Sequence, residues 1–190
     1  MKKREKRSQP ALLTHFNLKT HQGQRMCLWM DYRLKNLLFM LEVVYSENHD
    51  LQDLSMKAIE QITTELEELD RSLQNFVDEV PLPAKAGVSI TYNKPKDFTV
   101  QCTTPQAITY VNILKNYDLL IQKCDLLWLT RQWSRKESRE PIQEWAKTLS
   151  KGIDLCSELF SPLRRQYIQY QKQHHSGDES EQAKTDVNPS

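Results

Sequence analysis

Three polar side chains at two-residue spacing near the start of the sequence have the chemistry to read an ordered array of hydrogen-bonding groups. They are His15, Asn17 and Lys19, and Phe16 and Leu18 alternate with them. In an extended chain this alternation places the polar side chains on one face and the apolar pair on the other. An asparagine amide can pair with adenine through two hydrogen bonds and a lysine can donate to guanine, so the polar face suits DNA base edges.

The charge of the chain is unevenly distributed. Within residues 1–35, nine lysines and arginines stand against Glu5 and Asp31, and nine minus two gives +7. The whole chain carries +1, so the remainder carries −6. A basic N-terminal region on an acidic body favours contact with a polyanion. For duplex DNA the predicted contacts to the phosphate backbone are Lys2, Lys3, Arg4, Lys6, Arg7 and Arg25.

Other function classes find little support in the residues. No P-loop, GxGxxG, GxSxG or HExxH pattern occurs, and the four cysteines lie far apart and predict buried, reduced thiols. We therefore expect no catalysis, no cofactor and no metal site. No apolar run approaches the roughly 18 residues of a membrane span, and the N-terminus lacks the apolar stretch of a secretory signal. The expected location is cytoplasmic, in association with the nucleoid.

Helical periodicity dominates the rest of the sequence. Thr20 predicts the cap of a helix running to about Ser46, and the apolar seam from Ile59 to Val80 predicts a second helix that packs on another helix. Residues 87–102 alternate polar and apolar side chains around the segment 93–97, which predicts a β-hairpin.

The C-terminal half predicts two more helices. Thr104, followed by Pro105 at the first helical position, is predicted to cap a central helix. A charged connection at 135–140 then leads to a last helix from Pro141, with a kink or break at Pro162. No internal repeat is evident. The predicted organisation is a disordered basic arm (1–11), a strand and two helices (12–80), a β-hairpin with a helical extension (81–173) and a disordered tail (174–190).

A basic arm, one strand and two amphipathic helices form the order found in ribbon-helix-helix DNA-binding proteins, and segment 15–19 resembles the strand of their Arc-type members. The fold class is then mainly α, with a ribbon-helix-helix-like N-terminal unit. The resemblance implies that two protomers pair their strands, since a lone strand leaves backbone groups without partners, and that the ribbon enters the major groove. It assigns base contacts to His15, Asn17 and Lys19. It assigns the core of a homodimer to Phe16, Leu18, Met26, Met30, Leu34, Ile59, Ile62 and Leu66.

A second register is also possible. Residues 25–30 alternate as well, and a strand there would direct Arg25, Cys27 and Trp29 towards DNA. Because cysteine and tryptophan make poor base-reading hydrogen bonds, the first register is preferred.

The chain as a whole resembles the AcaB-like family of conjugative plasmid and integrating conjugative element proteins. The similarity lies in Leu18–Thr20 leading into Gln24–Met26, and in Asn116–Leu120 followed by Asp125–Leu129. It implies a regulator that activates conjugative-transfer genes, with double-stranded DNA, a second copy, and a second transcription activator or RNA polymerase as partners. The alternatives are a helical scaffold protein of a conjugative element that binds no DNA, and an enzyme with an unrecognised site.

Overall fold

Two short strands and four long helices form the chain in the computed structural model, which describes residues 11–47, 52–82, 88–102 and 104–182. The predicted basic arm up to residue 10 lies outside the described residues. In chain order the elements are β1 (Leu12–Leu18), α1 (His21–Glu47), α2 (Gln52–Glu79), β2 (Lys96–Cys102), α3 (Pro105–Leu129) and α4 (Arg135–Gln182). The prediction of a mainly α fold with an N-terminal strand is confirmed.

The element order strand-helix-helix occurs twice. The starts of the strands, the ends of the strands and the starts of the helices that follow them are all 84 positions apart, since 96 minus 12, 102 minus 18 and 105 minus 21 are equal. The residues show no internal repeat, and the repeated order of elements is visible only in the structure. Sequence comparison misses this repeat because equivalent positions hold different residues, such as Phe16 and Val100.

The two strands pair with each other, antiparallel, and form the two-stranded sheet of the described chain. His15 lies opposite Thr99, which is its own counterpart 84 positions later, so the ribbon has an approximate two-fold axis through this pair. The predicted hairpin of residues 87–102 is wrong, because residues 88–95 form no strand. Alternation indicates that segment 96–102 is extended but does not indicate which strand it pairs with. It pairs with β1, whose backbone groups would otherwise lack hydrogen-bond partners.

The core lies between the four helices, with α3 against each of the other three. The predicted seam of α2 is buried at Ile59, Ile62, Leu66 and Leu73, and it packs on α3 and α4 of the same chain. At the end of α2, Lys123 donates hydrogen bonds to the carbonyls of Val77 (2.6 Å) and Val80 (3.2 Å), which otherwise lack partners at a helix C-terminus.

The last helix departs from its predicted bounds at both ends. It begins at Arg135 rather than Pro141, because Ser134 and Glu137 form a reciprocal capping box: the Ser134 amide donates to Glu137 Oε2 (2.6 Å) and the Glu137 amide donates to Ser134 Oγ (3.3 Å). It continues through Pro162, an exposed position where water can satisfy the freed carbonyl, and past residue 174 to Gln182. The predicted disordered tail is thus helical up to Gln182.

All four cysteines are free and buried, as predicted. Burial raises the pKa of the Cys27 thiol to about 11 and the pKa values of Cys124 and Cys156 to about 12. These three thiols are therefore protonated at neutral pH and unsuited to nucleophilic chemistry. None of the helices in the described ranges has the length and apolar character needed to cross a membrane.

Candidate nucleic-acid interface

The outer face of the ribbon carries a polar row of side chains from both strands. His15 and Asn17 are exposed, as are their cross-strand neighbours Thr99 and Asp97. His15 Nδ1 and Thr99 Oγ1 share a hydrogen bond of 2.9 Å, and Asn17 Nδ2 donates to Asp97 Oδ1 at 2.8 Å. These bonds order side chains that point away from the core, so the row is a presented surface with defined geometry.

The inner face of the ribbon is bound to the helices by apolar packing. Leu18 is fully buried, and the Phe16 ring stacks on Phe98 with centroids 5.7 Å apart. Lys96 Nζ lies 5.1 Å from the centroid of the Phe98 ring, a cation–π contact. The alternation predicted for residues 15–19 is therefore confirmed, with the apolar pair inward and the polar residues outward.

A buried carboxylate fixes the point where β1 leads into α1. Asp118 of α3 is 2% exposed and accepts four hydrogen bonds. Three come from the Lys19 amide (3.0 Å), the Thr20 amide (2.9 Å) and the Thr20 hydroxyl (2.6 Å), and Gln122 gives the fourth (2.8 Å). Thr20 in turn accepts the amide of Gly23 (3.0 Å) and so caps α1 as predicted.

Two residues of the first turns of α1 complete this anchor. A Cβ on Gly23 would lie 2.4 Å from Asp118 Oδ1, so only glycine allows the carboxylate to approach the turn this closely. Gln24 Nε2 donates to the carbonyls of Leu18 (3.0 Å) and Lys94 (2.8 Å). Because Leu18 ends β1 and Lys94 lies just before β2, one side chain ties both strands to the helix.

The sequence pointed to these anchoring residues only indirectly. Residues 18–20, 24–26, 116–120 and 125–129 are the segments that carry the resemblance to the AcaB-like family, and Asp118 in the third accepts hydrogen bonds from Lys19 and Thr20 in the first. The sequence-based prediction omits the outer row of β2, because it places residues 96–102 in a hairpin. For the anchoring residues, the available signal in the sequence is a single polar residue, Asp118, among the apolar stripes of α3.

The predicted site residues divide into three groups. His15, Asn17 and Lys19 are exposed on the ribbon, and Arg25 is exposed on α1, whereas Lys2, Lys3, Arg4, Lys6 and Arg7 lie outside the described residues. The predicted dimer core is already buried within one chain, except that Met26 is only partly buried. The second register is wrong, since residues 25–30 lie within α1, where Cys27 is buried and Arg33 Cζ lies 5.9 Å from the centroid of the Trp29 ring.

A cleft between two helices is another place where a ligand could lie. A polar cleft of about 430 Å³ between α2 and α3 is lined by residues of both charges, among them Asp70 and Lys115. Burial raises the pKa of Asp70, which accepts a hydrogen bond from Asn116. Within the described ranges, no group of three or more histidine, cysteine, aspartate or glutamate residues is placed to hold a metal ion.

Taken together, the geometry is that of a helical protein that presents a two-stranded antiparallel ribbon with an ordered polar outer face. The same fold occurs in a solved structure, the crystal structure of selenomethionine-containing AcaB from uropathogenic E. coli. The match covers 96% of this chain and 93% of that chain with a TM-score of 0.58 and 19% sequence identity, so it shows the fold alone. No protein-family model matches the chain, and no curated protein is significantly similar in sequence.

Proposed function

We propose that this protein is a sequence-specific DNA-binding transcription regulator that inserts the β1–β2 ribbon into the major groove. The observation that carries the proposal is the exposed, hydrogen-bonded polar row on a ribbon that Asp118 and Gln24 anchor to the helices. A two-stranded ribbon has the width that the major groove admits. Anchoring matters because side chains that read bases must be held in a fixed position relative to the residues that contact the DNA phosphates.

The outer row retains the hydrogen-bonding capacity that base reading needs. Asn17 uses one amide hydrogen on Asp97, which leaves its second amide hydrogen and its Oδ1 to pair with N7 and N6 of an adenine. Lys19 is exposed at the end of the same row, Lys96 is exposed at the start of β2 and Lys94 just before it, and Arg25 is exposed in α1. These cations are suited to phosphate oxygens on either side of the groove.

We propose further that one chain supplies a complete ribbon. The sequence predicts a homodimer because a lone strand and the α2 seam both need partners. Within one chain, however, β2 pairs with β1, and α3 and α4 cover the seam. The strand-helix-helix order that two protomers contribute in ribbon-helix-helix proteins is present twice here. A second copy would then bind DNA as a second reading unit and would not complete the first.

The regulatory role is the broadest part of the proposal. The similarity of fold to AcaB supports the resemblance to the AcaB-like family, which implies activation of conjugative-transfer genes together with a second activator or RNA polymerase. The basic arm would add phosphate contacts. If about six phosphates are neutralised, affinity should fall by about a thousandfold or more between 50 and 200 mM salt.

Selection of bound duplexes by the purified full-length chain tests the proposal, followed by fluorescence anisotropy on the selected site. Asn17→Ala should weaken binding to that site by about 1–3 kcal/mol and leave binding to unrelated DNA unchanged. Thr148→Ala, on an exposed face of α4, is the matched control and should bind as the native chain does. Mass photometry of the complex should show one chain on a minimal site. Absence of any enriched sequence, or equal loss in both variants, would contradict the proposal.

A further inference from the structure

We infer that the ribbon reads a non-palindromic DNA sequence, in which two base positions related by the ribbon's two-fold axis are recognised by opposite chemistries. This inference rests on the proposed function and adds to it the kind of site that is bound. The two-fold axis passes through His15 and Thr99, which are paired and are 84 positions apart, like the starts and ends of the two strands. A homodimeric ribbon would have identical residues at such positions, whereas this ribbon has a histidine facing a threonine.

The cross-strand pairs on either side of the axis show the asymmetry most clearly. On one side Asn17 lies opposite Asp97, and on the other side Gln101 lies opposite Leu13. The axis relates Asn17 to Gln101 and Asp97 to Leu13. Each side therefore has one amide, which can pair with adenine, and the neighbour of that amide differs completely.

The carboxylate on the first side requires a base that donates. Asp97 is exposed on the outer face and has no hydrogen to offer when ionised, so it accepts from the N4 amino group of cytosine. In the major groove guanine presents the acceptors O6 and N7, and thymine presents the acceptor O4. Opposite the carboxylate, these acceptors would have no proton to share with it. Adenine offers its N6 amino group beside the N7 acceptor, which would also face the carboxylate without a proton to share, so this half of the site favours cytosine.

The leucine on the second side requires an apolar contact. Leu13 is 61% exposed on the ribbon, a large apolar side chain that the described part of the chain leaves mostly uncovered. The only apolar group that a base presents in the major groove is the thymine methyl. The two axis-related positions thus favour cytosine on one side and thymine on the other, and a palindrome cannot satisfy both.

Selection from duplexes with 20 randomised base pairs, using the full-length chain, should enrich an asymmetric sequence. Anisotropy is then measured on the selected duplex and on two palindromes, each built by inverting one half of it. We expect each palindrome to bind roughly five- to 150-fold more weakly for every mismatched base pair. An enriched motif that is itself palindromic would overturn the inference while leaving the proposed function intact.

A variant that makes the ribbon symmetric at this position sharpens the test. Asp97→Leu should change the preferred base at that position from cytosine to thymine and improve binding to the palindrome built on the Leu13 half. Leu13→Asp should produce the reverse change and serves as the matched variant. Both positions are exposed, and circular dichroism and thermal melting confirm that the variants fold. An unchanged motif in both variants would overturn the inference. A selection in which the native chain enriches no sequence at all would overturn the proposed function as well.

Discussion

The two junctions between strand and helix are equivalent in the backbone and differ in how they are held. At the first, the Thr20 hydroxyl caps α1 and donates to the buried Asp118. At the second, Thr104 precedes α3 with no side-chain cap, and its Oγ1 is buried without a hydrogen-bond partner in the described part of the chain. The Ala107 amide bonds instead to the Thr104 carbonyl at 3.1 Å. The prediction that Thr104 caps α3 is thus right in position and wrong in its hydrogen bond.

The difference arises from one residue on the opposing element. Asp118 on α3 faces the first junction, whereas the position 84 residues earlier, on α1, is the buried apolar Leu34. A duplicated backbone therefore carries one polar anchor instead of two. The first junction also adjoins Lys19, the predicted base-contacting residue at the end of the outer row, so the firm anchor lies where the proposed function needs precision.

The largest expected effect concerns the inner face of the ribbon. Phe16→Ala removes a buried ring stacked on Phe98 and should lower the free energy of unfolding by about 3–5 kcal/mol. Its counterpart Val100 is only half-buried, so Val100→Ala should cost about 1 kcal/mol. Urea denaturation of the native chain and both variants, repeated at several protein concentrations, measures both losses in the free energy of unfolding. Equal losses in the two variants would mean that the halves of the ribbon contribute alike to the core.

The second prediction tests the anchor itself. Asp118→Asn keeps one acceptor oxygen and turns an amide N–H₂ towards donors, so buried N–H groups lose their partners at a cost of about 2–4 kcal/mol. Asp70→Asn is the matched control, because Asp70 has a single side-chain partner and burial already raises its pKa. We expect the control to change stability by less than about 1 kcal/mol. If Asp70→Asn lowered the free energy of unfolding as much as Asp118→Asn, the four hydrogen bonds of Asp118 would contribute no more to stability than the single bond of Asp70.

This anchor also marks the boundary of what the sequence could predict. Apolar periodicity located α1, α2 and α3 closely, because a helix buries one face whatever it packs against. The partner of β1 could not be found in this way, since alternation in residues 96–102 indicates an extended segment and says nothing of pairing. Three of the four hydrogen bonds to Asp118 come from Lys19 and Thr20, about 100 positions away, and a single carboxylate in α3 carries no local signature of that contact.

The third prediction concerns the close approach at the first junction. Gly23→Ala would place a Cβ 2.4 Å from Asp118 Oδ1, an atom held by hydrogen bonds, and should cost about 1–3 kcal/mol despite the better helix propensity of alanine. Gly152→Ala is the matched control in α4. Its Cβ would meet Leu69 Cδ1 at 2.3 Å, the free end of a partly buried side chain that can rotate away. Thermal melts should show a clear loss for the first variant and little change for the second. The reverse order would mean that the carboxylate moves more easily than the leucine.

The smallest expected effect compares the two capping threonines directly. Thr20→Val replaces a hydroxyl that accepts from Gly23 and donates to Asp118, and should lower the free energy of unfolding by about 1–2 kcal/mol. Thr104→Val replaces a buried hydroxyl, which has no partner among the described residues, with a methyl group of similar size. Removing an unsatisfied polar atom is neutral or stabilising by up to about 1 kcal/mol. Denaturant titrations at one pH and one protein concentration compare the variants with the native chain. Because valine fits both sites sterically, opposite signs can be attributed to the hydroxyl hydrogen bonds alone. Equal destabilisation by both substitutions would mean that Thr104 does cap α3 in solution, and the two junctions would then be held in the same way.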